Sequence, residues 1–121
     1  MDRDGDMDII SASTDDHRIA WYENNNGDGS SWTAYDITTS ALGARSVFAA
    51  DMDGDGDMDI VSASIFDDTI AWYENDGNVN PSWTAADIAT NSINARSVYV
   101  ADIDGNGHMD ILSASVSDNT I

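Results

Sequence analysis

The sequence predicts an all-β fold of β-propeller blades, each made of four short antiparallel strands with an acidic loop in its first hairpin. Three observations carry that prediction. The chain repeats itself with a constant period, each repeat holds short strand-like segments separated by turns, and one aspartate-rich loop stands at the same place in every repeat.

The period is 51. Asp8-Ile9-Ile10-Ser11-Ala12-Ser13 returns 51 residues later as Asp59-Ile60-Val61-Ser62-Ala63-Ser64 and again as Asp110-Ile111-Leu112-Ser113-Ala114-Ser115. Ile19-Ala20-Trp21-Tyr22-Glu23-Asn24 returns from Ile70 to Asn75, Trp32-Thr33-Ala34 returns at Trp83, and Ala44-Arg45-Ser46-Val47 returns at Ala95, with no slip of register.

Within one repeat, Arg45 to Ala50 reads as a first strand and Asp59 to Ile65 as a second, so the acidic loop between them is the tip of a hairpin. Asp67-Asp68 makes a tight turn. Thr69 to Asn75, rich in aromatic and branched residues, is a third strand. A polar stretch from Asp76 through Pro81 leads to a fourth, Trp83 to Ile88, and Ala89 to Asn94 links to the next repeat. Ala41 and Ala44 give a brief helical hint, but no apolar pattern of period 3.6 persists. Four strands in about 50 residues match a propeller blade. A solenoid rung is shorter, and a sandwich has no need of identical units.

The loop from Asp51 to Asp59 carries five aspartates and two glycines in nine residues. Asp51, Asp53, Asp55 and Asp59 stand at positions 1, 3, 5 and 9, and Gly56 at position 6 permits a sharp turn. This spacing wraps a flexible loop around one Ca2+, with Asp57 at position 7 offering its backbone carbonyl. Neighbouring carboxylates repel by roughly 1 kcal/mol per pair even in water, so the metal-free loop is expected to be loose. The loop recurs with Asp102, Asp104, Asn106 and Asp110 at the ligand positions, Gly107 at the turn and His108 at the carbonyl position. A further copy opens the chain, where Asp2, Asp4 and Asp8 match positions 3, 5 and 9, Asp6 matches position 7 and Gly5 the turn. Position 1 of that copy falls before Met1, and Arg3 stands where Gly54 and Gly105 stand, so this site is expected to be weak or empty. An EF-hand is excluded, because strands flank the loop and Ser62 or Ser113 takes the twelfth position, where a bidentate Glu belongs.

Composition narrows the partners. With 23 acidic residues, four arginines (Arg3, Arg18, Arg45, Arg96), no lysine and a net charge of -19, the surface repels nucleic acid and anionic membrane. No apolar stretch approaches the roughly 20 residues of a membrane span. Cysteine is absent, which excludes disulfides and thiolate metal sites, and the all-oxygen clusters argue against zinc. Weak calcium loops suit the millimolar calcium outside cells, which places the protein there.

The loop D-x-D-G-D-G-x-x-D-[IV], followed by S-A-S, then T-I-A-W-Y-E-N, then a Trp-led strand, resembles the FG-GAP/VCBS repeat family. That family includes the blades of the integrin α-subunit head and many bacterial surface and secreted proteins. The resemblance covers essentially the whole chain. It implies a propeller, commonly seven-bladed, with calcium in the hairpin between the first two strands of a blade. Carried over, it assigns Asp51, Asp53, Asp55, Asp59 and the Asp57 carbonyl to one ion, and Asp102, Asp104, Asn106 and Asp110 to another.

The chain divides into a partial blade (1–44), a full blade (45–94) and a partial blade (95–121). Two blades cannot close a ring of four to eight. The expected context is a longer propeller, in preference to a homo-oligomer whose copies complete one ring.

The remaining residues read as structural. Trp21, Trp32, Trp72 and Trp83 recur with the repeat and are expected to pack between sheets rather than stack on sugars. Arg45 and Arg96 are each expected to pair with a nearby carboxylate. His17 falls in a turn where other repeats have Asp68 and Asn119. No Ser, His and Asp stand in a nucleophile-elbow context, and repetition spreads ligands evenly where catalysis needs one asymmetric constellation. The expected function is a non-catalytic, calcium-binding module for adhesion or protein interaction. The alternatives are a carbohydrate-binding propeller, or an accessory propeller of a polysaccharide-degrading enzyme.

Overall fold

The computed structural model describes residues 1–116 and 121, and the turn residue Asn119 lies outside them. Nine strands follow in chain order: β1 (Ile9–Ser13), β2 (Arg18–Asn24), β3 (Trp32–Thr38), β4 (Ala44–Ala50), β5 (Asp59–Ser64), β6 (Thr69–Asn75), β7 (Trp83–Ala89), β8 (Ala95–Ala101) and β9 (Asp110–Ser115). They form three antiparallel sheets, β1-β2-β3, β4-β5-β6-β7 and β8-β9, each ordered in space as in sequence. There is no helix among the described residues. The helical hint near Ala41 resolves into one tight turn, in which Ala44 N–H donates to the Ala41 carbonyl at 2.9 Å.

The strands lie within a residue of their expected limits. Their burial differs between repeats in a way that follows from the sheets' positions. β5 is buried at all six positions, whereas its counterpart β9 alternates between exposed and half-buried. The middle sheet has a neighbour on each face, so nearly the same sequence is covered on both sides in β5 and left partly open in β9.

The two interfaces are copies of each other. Ile10, Ala12, Ile19 and Trp21 of the first sheet pack with Val47, Ala49, Ile60, Ala71, Tyr73 and Trp83 of the second. One period on, Val61, Ala63, Ile70 and Trp72 of the second sheet pack with Val98, Val100 and Ile111 of the third. Trp21 stacks on Tyr35 with ring centroids 4.8 Å apart and planes 19° apart. Trp21, Trp72 and Trp83 thus serve the core, as expected. Trp32 differs: it is 40% exposed and lies beside Ile9 and Tyr22 on the outer face of the first sheet.

Among the described residues neither Arg45 nor Arg96 forms the expected pair with a carboxylate. Each sits at a break in strand register, between Ala44 and Ser46 or between Ala95 and Ser97, and each is exposed. A bulged residue is turned out of the ladder. Among the described residues the ion pairs to side chains or the N-terminus are Met1 with Asp8, Arg3 with Asp57 and Arg18 with Asp36.

The linker from the first sheet to the second is tied to both. Ala41 N–H donates to the His17 carbonyl, while Ile65 and Phe66 N–H donate to the Gly43 and Leu42 carbonyls. Gly43 is required at its place: its φ is +73°, and a Cβ there would lie 2.7 Å from the Phe66 ring.

The packing makes a differential prediction. Ile60 is fully buried and its repeat counterpart Ile9 is 51% exposed. Ile60→Ala should cost about 2–5 kcal/mol of unfolding free energy. Ile9→Ala should cost under about 1 kcal/mol. Urea denaturation of the two variants measures both, and equal losses would contradict the arrangement of the sheets.

Candidate metal centre

The acidic loops lie where strand pairing ends. The β4–β5 ladder closes on the pair Ala50 and Asp59, and the β8–β9 ladder on Ala101 and Asp110. Closing the hairpin there brings the last aspartate of the loop back beside the first. Asp51, Asp53 and Asp59 each place one carboxylate oxygen within 4.8 Å of the others, and Asp102, Asp104 and Asp110 do the same.

Backbone amides hold these carboxylates in place. Asp51 accepts from Gly54 N–H (2.7 Å) and Gly56 N–H (3.0 Å), and Asp53 accepts from Asp55 N–H (3.1 Å). In the third-sheet loop Asp102 accepts from Gly105 and Gly107 (both 2.8 Å), and Asp104 from Asn106 (3.1 Å). Gly54 and Gly105 have φ of +81° and +74°. In the opening loop Arg3 adopts the same left-handed conformation, with φ of 67°.

Asp59 anchors the set from below. It is fully buried, and it accepts from Met52 N–H (3.1 Å) and Asn75 N–H (2.9 Å). Burial pushes its carboxyl above the usual range, and the Asp53 charge pushes the same way, while the Asn75 and Met52 amides oppose the shift. Among the described residues no basic side chain reaches it. A buried carboxylate facing two others, held by amides but lacking a counter-ion, fits a hard cation with oxygen ligands.

Two repeat-wide matches of known kind fit this geometry. The FG-GAP-like repeat model matches residues 1–62 and again residues 51–113. The chain belongs to the FG-GAP-like repeat family. No curated protein and no solved structure matches it. Each FG-GAP-like match runs from one acidic loop into the strand that directly follows the next, so the matched unit spans one whole period and both acidic loops that bound it.

Several predicted site residues stand apart from the gathered carboxylates. Asp55 is turned to the Asp57 amide (2.8 Å), whereas Asn106 accepts from the His108 amide (2.8 Å) and stays beside its triad by donating from Nδ2 to Asp104 (3.0 Å). The His108 side chain is exposed. In the opening loop Asp2 accepts from Asp4 N–H and Asp4 from Asp6 N–H, but Asp2, Asp4 and Asp8 do not converge as the later triads do. Asp8 instead pairs with the Met1 ammonium.

Asp57 has a role beyond its carbonyl. Its side chain is buried against Gly77, where an added Cβ would lie 2.3 Å from Asp57 Oδ2, and it pairs with Arg3 of the opening loop. Arg3 is therefore a bridge between two loops. Asp6 repeats half of this arrangement by lying against Gly27.

Sequence reasoning passed over Asn75 and Asn24, which support the site. Asn75 is almost fully buried; its N–H holds Asp59, its Nδ2 donates to the Met58 carbonyl (3.0 Å), and its Oδ1 accepts from Gly77 N–H (2.9 Å). Asn24 makes the same link to Asp8 (3.1 Å). The signal was present, since Asn closes the recurring W-Y-E-N. Asn75→Ala leaves the Met58 carbonyl and Gly77 amide unpaired, and should cost about 1–3 kcal/mol by urea denaturation. A loss below a few tenths would remove Asn75 from the support of the site.

Proposed function

We propose that this chain is a calcium-binding, non-catalytic module of an extracellular β-propeller that presents its loops to a protein partner. The observation that carries the reading is the pair of carboxylate triads, Asp51, Asp53, Asp59 and Asp102, Asp104, Asp110, each closing a hairpin. Membership in the FG-GAP-like repeat family supports it, as such repeats commonly bind Ca2+ and are typically extracellular.

In this reading Asp51, Asp53 and Asp59 hold one ion and Asp102, Asp104 and Asp110 another, with Asp55 and Asn106 in reach of a loop rearrangement. The ion supplies positive charge and oxygen coordination. The chain's own residues do the rest: glycine turns aim the first carboxylates inward, amides from Met52 and Asn75 fix Asp59, and the ladder below transmits that order to the sheet. The candidate ligands recur evenly with the period, and that even spread favours a binding role over catalysis.

A glycan ligand is the second reading. One observation favours it: Trp32, with Tyr22 and Ile9, is exposed on an apolar face, and aromatic faces stack well on sugars. Against it, the same positions one repeat on, Ile60, Tyr73 and Trp83, pack between sheets.

Calorimetric titration tests the metal assignment. The 121-residue chain should bind about two Ca2+ with dissociation constants near or above the micromolar range. Asp53→Asn should remove or weaken one site by about tenfold or more, and Asp8→Asn should change neither. Absence of binding at millimolar calcium would overturn the reading.

A further inference from the structure

We propose that His17 is a pH-responsive latch on the linker between the first and second sheets. The latch lies in one of two turns one period apart, at the end of the strands opposite the acidic loops. It is independent of the calcium assignment.

His17 and Asp68 occupy the same place in consecutive repeats, and both adopt the left-handed conformation, with φ of 59° and 56°. Each ties down the linker that follows its sheet with the same two bonds. The His17 carbonyl accepts from Ala41 N–H (3.1 Å), and the Asp68 carbonyl accepts from Ser92 N–H (2.9 Å). His17 Nδ1 accepts from Gly43 N–H (3.0 Å), and Asp68 Oδ1 accepts from Asn94 N–H (2.8 Å). Position for position, an imidazole does in the first turn what a carboxylate does in the second.

The two acceptors differ in one respect. A carboxylate keeps its lone pairs through the neutral range, whereas an imidazole nitrogen accepts only while it carries no proton. Nδ1 also lies 3.1 Å from the Thr14 carbonyl. Once protonated, it donates to Thr14 within its own turn, and the Gly43 N–H loses its acceptor. The switch is an exchange of one partner for another without a change of strand pairing.

On its own turn the imidazole has Asp15, Asp16 and Arg18 as neighbours in sequence. From the β5–β6 turn, Phe66 packs edge-on at 6.0 Å, and Asp67 reaches the adjoining Leu42 N–H at 3.3 Å. The linker residues Ala41, Leu42 and Gly43 carry no charge. Once Nδ1 is protonated, the first sheet loses one of its ties to the linker, keeping the Ala41 N–H bond to the His17 carbonyl and the Thr14 hydroxyl bond to the Ala44 carbonyl, while the second sheet keeps its full hold through Asp68.

Amide hydrogen exchange at Gly43, read by NMR against Asn94 in the same sample, tests this. In calcium-containing buffer, Gly43 protection corrected for intrinsic exchange should fall about tenfold between pH 8 and pH 5, the equivalent of one lost hydrogen bond, while Asn94 stays level. His17→Asp, which copies the Asp68 turn, and His17→Asn, which keeps an acceptor that does not titrate, should both abolish the fall. Level Gly43 protection in the native chain overturns the proposal on its own. So does a fall that persists in either variant.

Discussion

Carboxylates at the tip of a hairpin impose the constraint on which the rest of this structure depends. Asp51, Asp53 and Asp59 converge because the β4–β5 ladder closes at Ala50 and Asp59, and Asp59 is buried beneath the loop with backbone amides and the Trp72 indole beside it. Like charges so close repel, and the buried one has lost its water as well. The fold meets the cost in part by directing backbone N–H groups at six of the ten carboxylate oxygens from Asp51 to Asp59. Positive charge is what the arrangement lacks, and Arg3 answers for Asp57 alone.

From the loops, order passes to the sheets. Asp59 is the first residue of β5, the strand with a neighbouring strand on each side and a neighbouring sheet on each face. Its amide partner Asn75 ends β6, so the loop, the second strand and the third strand share one buried junction. In repeat architectures each unit is stabilised by its neighbours more than by itself, and the middle sheet with its two matching interfaces shows how. The linkers matter for the same reason: His17 and Asp68 hold successive sheets at one spacing, and their different chemistry makes one joint sensitive to acid.

Much of this was legible in the sequence because a repeat displays its own constraints. Residues that return with the period, such as Trp21 and Trp72 or Asp59 and Asp110, announce a common structural task. Strand order followed from short loops, and loop chemistry from aspartate spacing. What could not be read were the properties set by neighbours across space. Arg45 and Arg96 recur as faithfully as the tryptophans, yet a bulge turns them to solvent where a carboxylate was expected. Arg3 looked like an intruder in its own loop and proved to reach the next one. Trp32 and Trp83 are one residue in sequence terms, but only Trp83 has a sheet to pack against. Asn75 recurs with the period at the end of W-Y-E-N, but recurrence alone does not separate a buried support of the loop from an exposed strand end, and its burial is what makes it a keystone.

The most direct test of the account is the melting temperature of the chain in excess chelator and again in millimolar calcium, followed by circular dichroism. If a cation relieves the repulsion in the loops, calcium binding to the folded state alone stabilises it by about RT ln(1 + [Ca2+]/Kd) per site, and the melting point rises with calcium concentration. An unchanged melting point on chelation, with the strands intact, would show that the carboxylates are held by backbone amides without need of an ion, and would contradict the central claim.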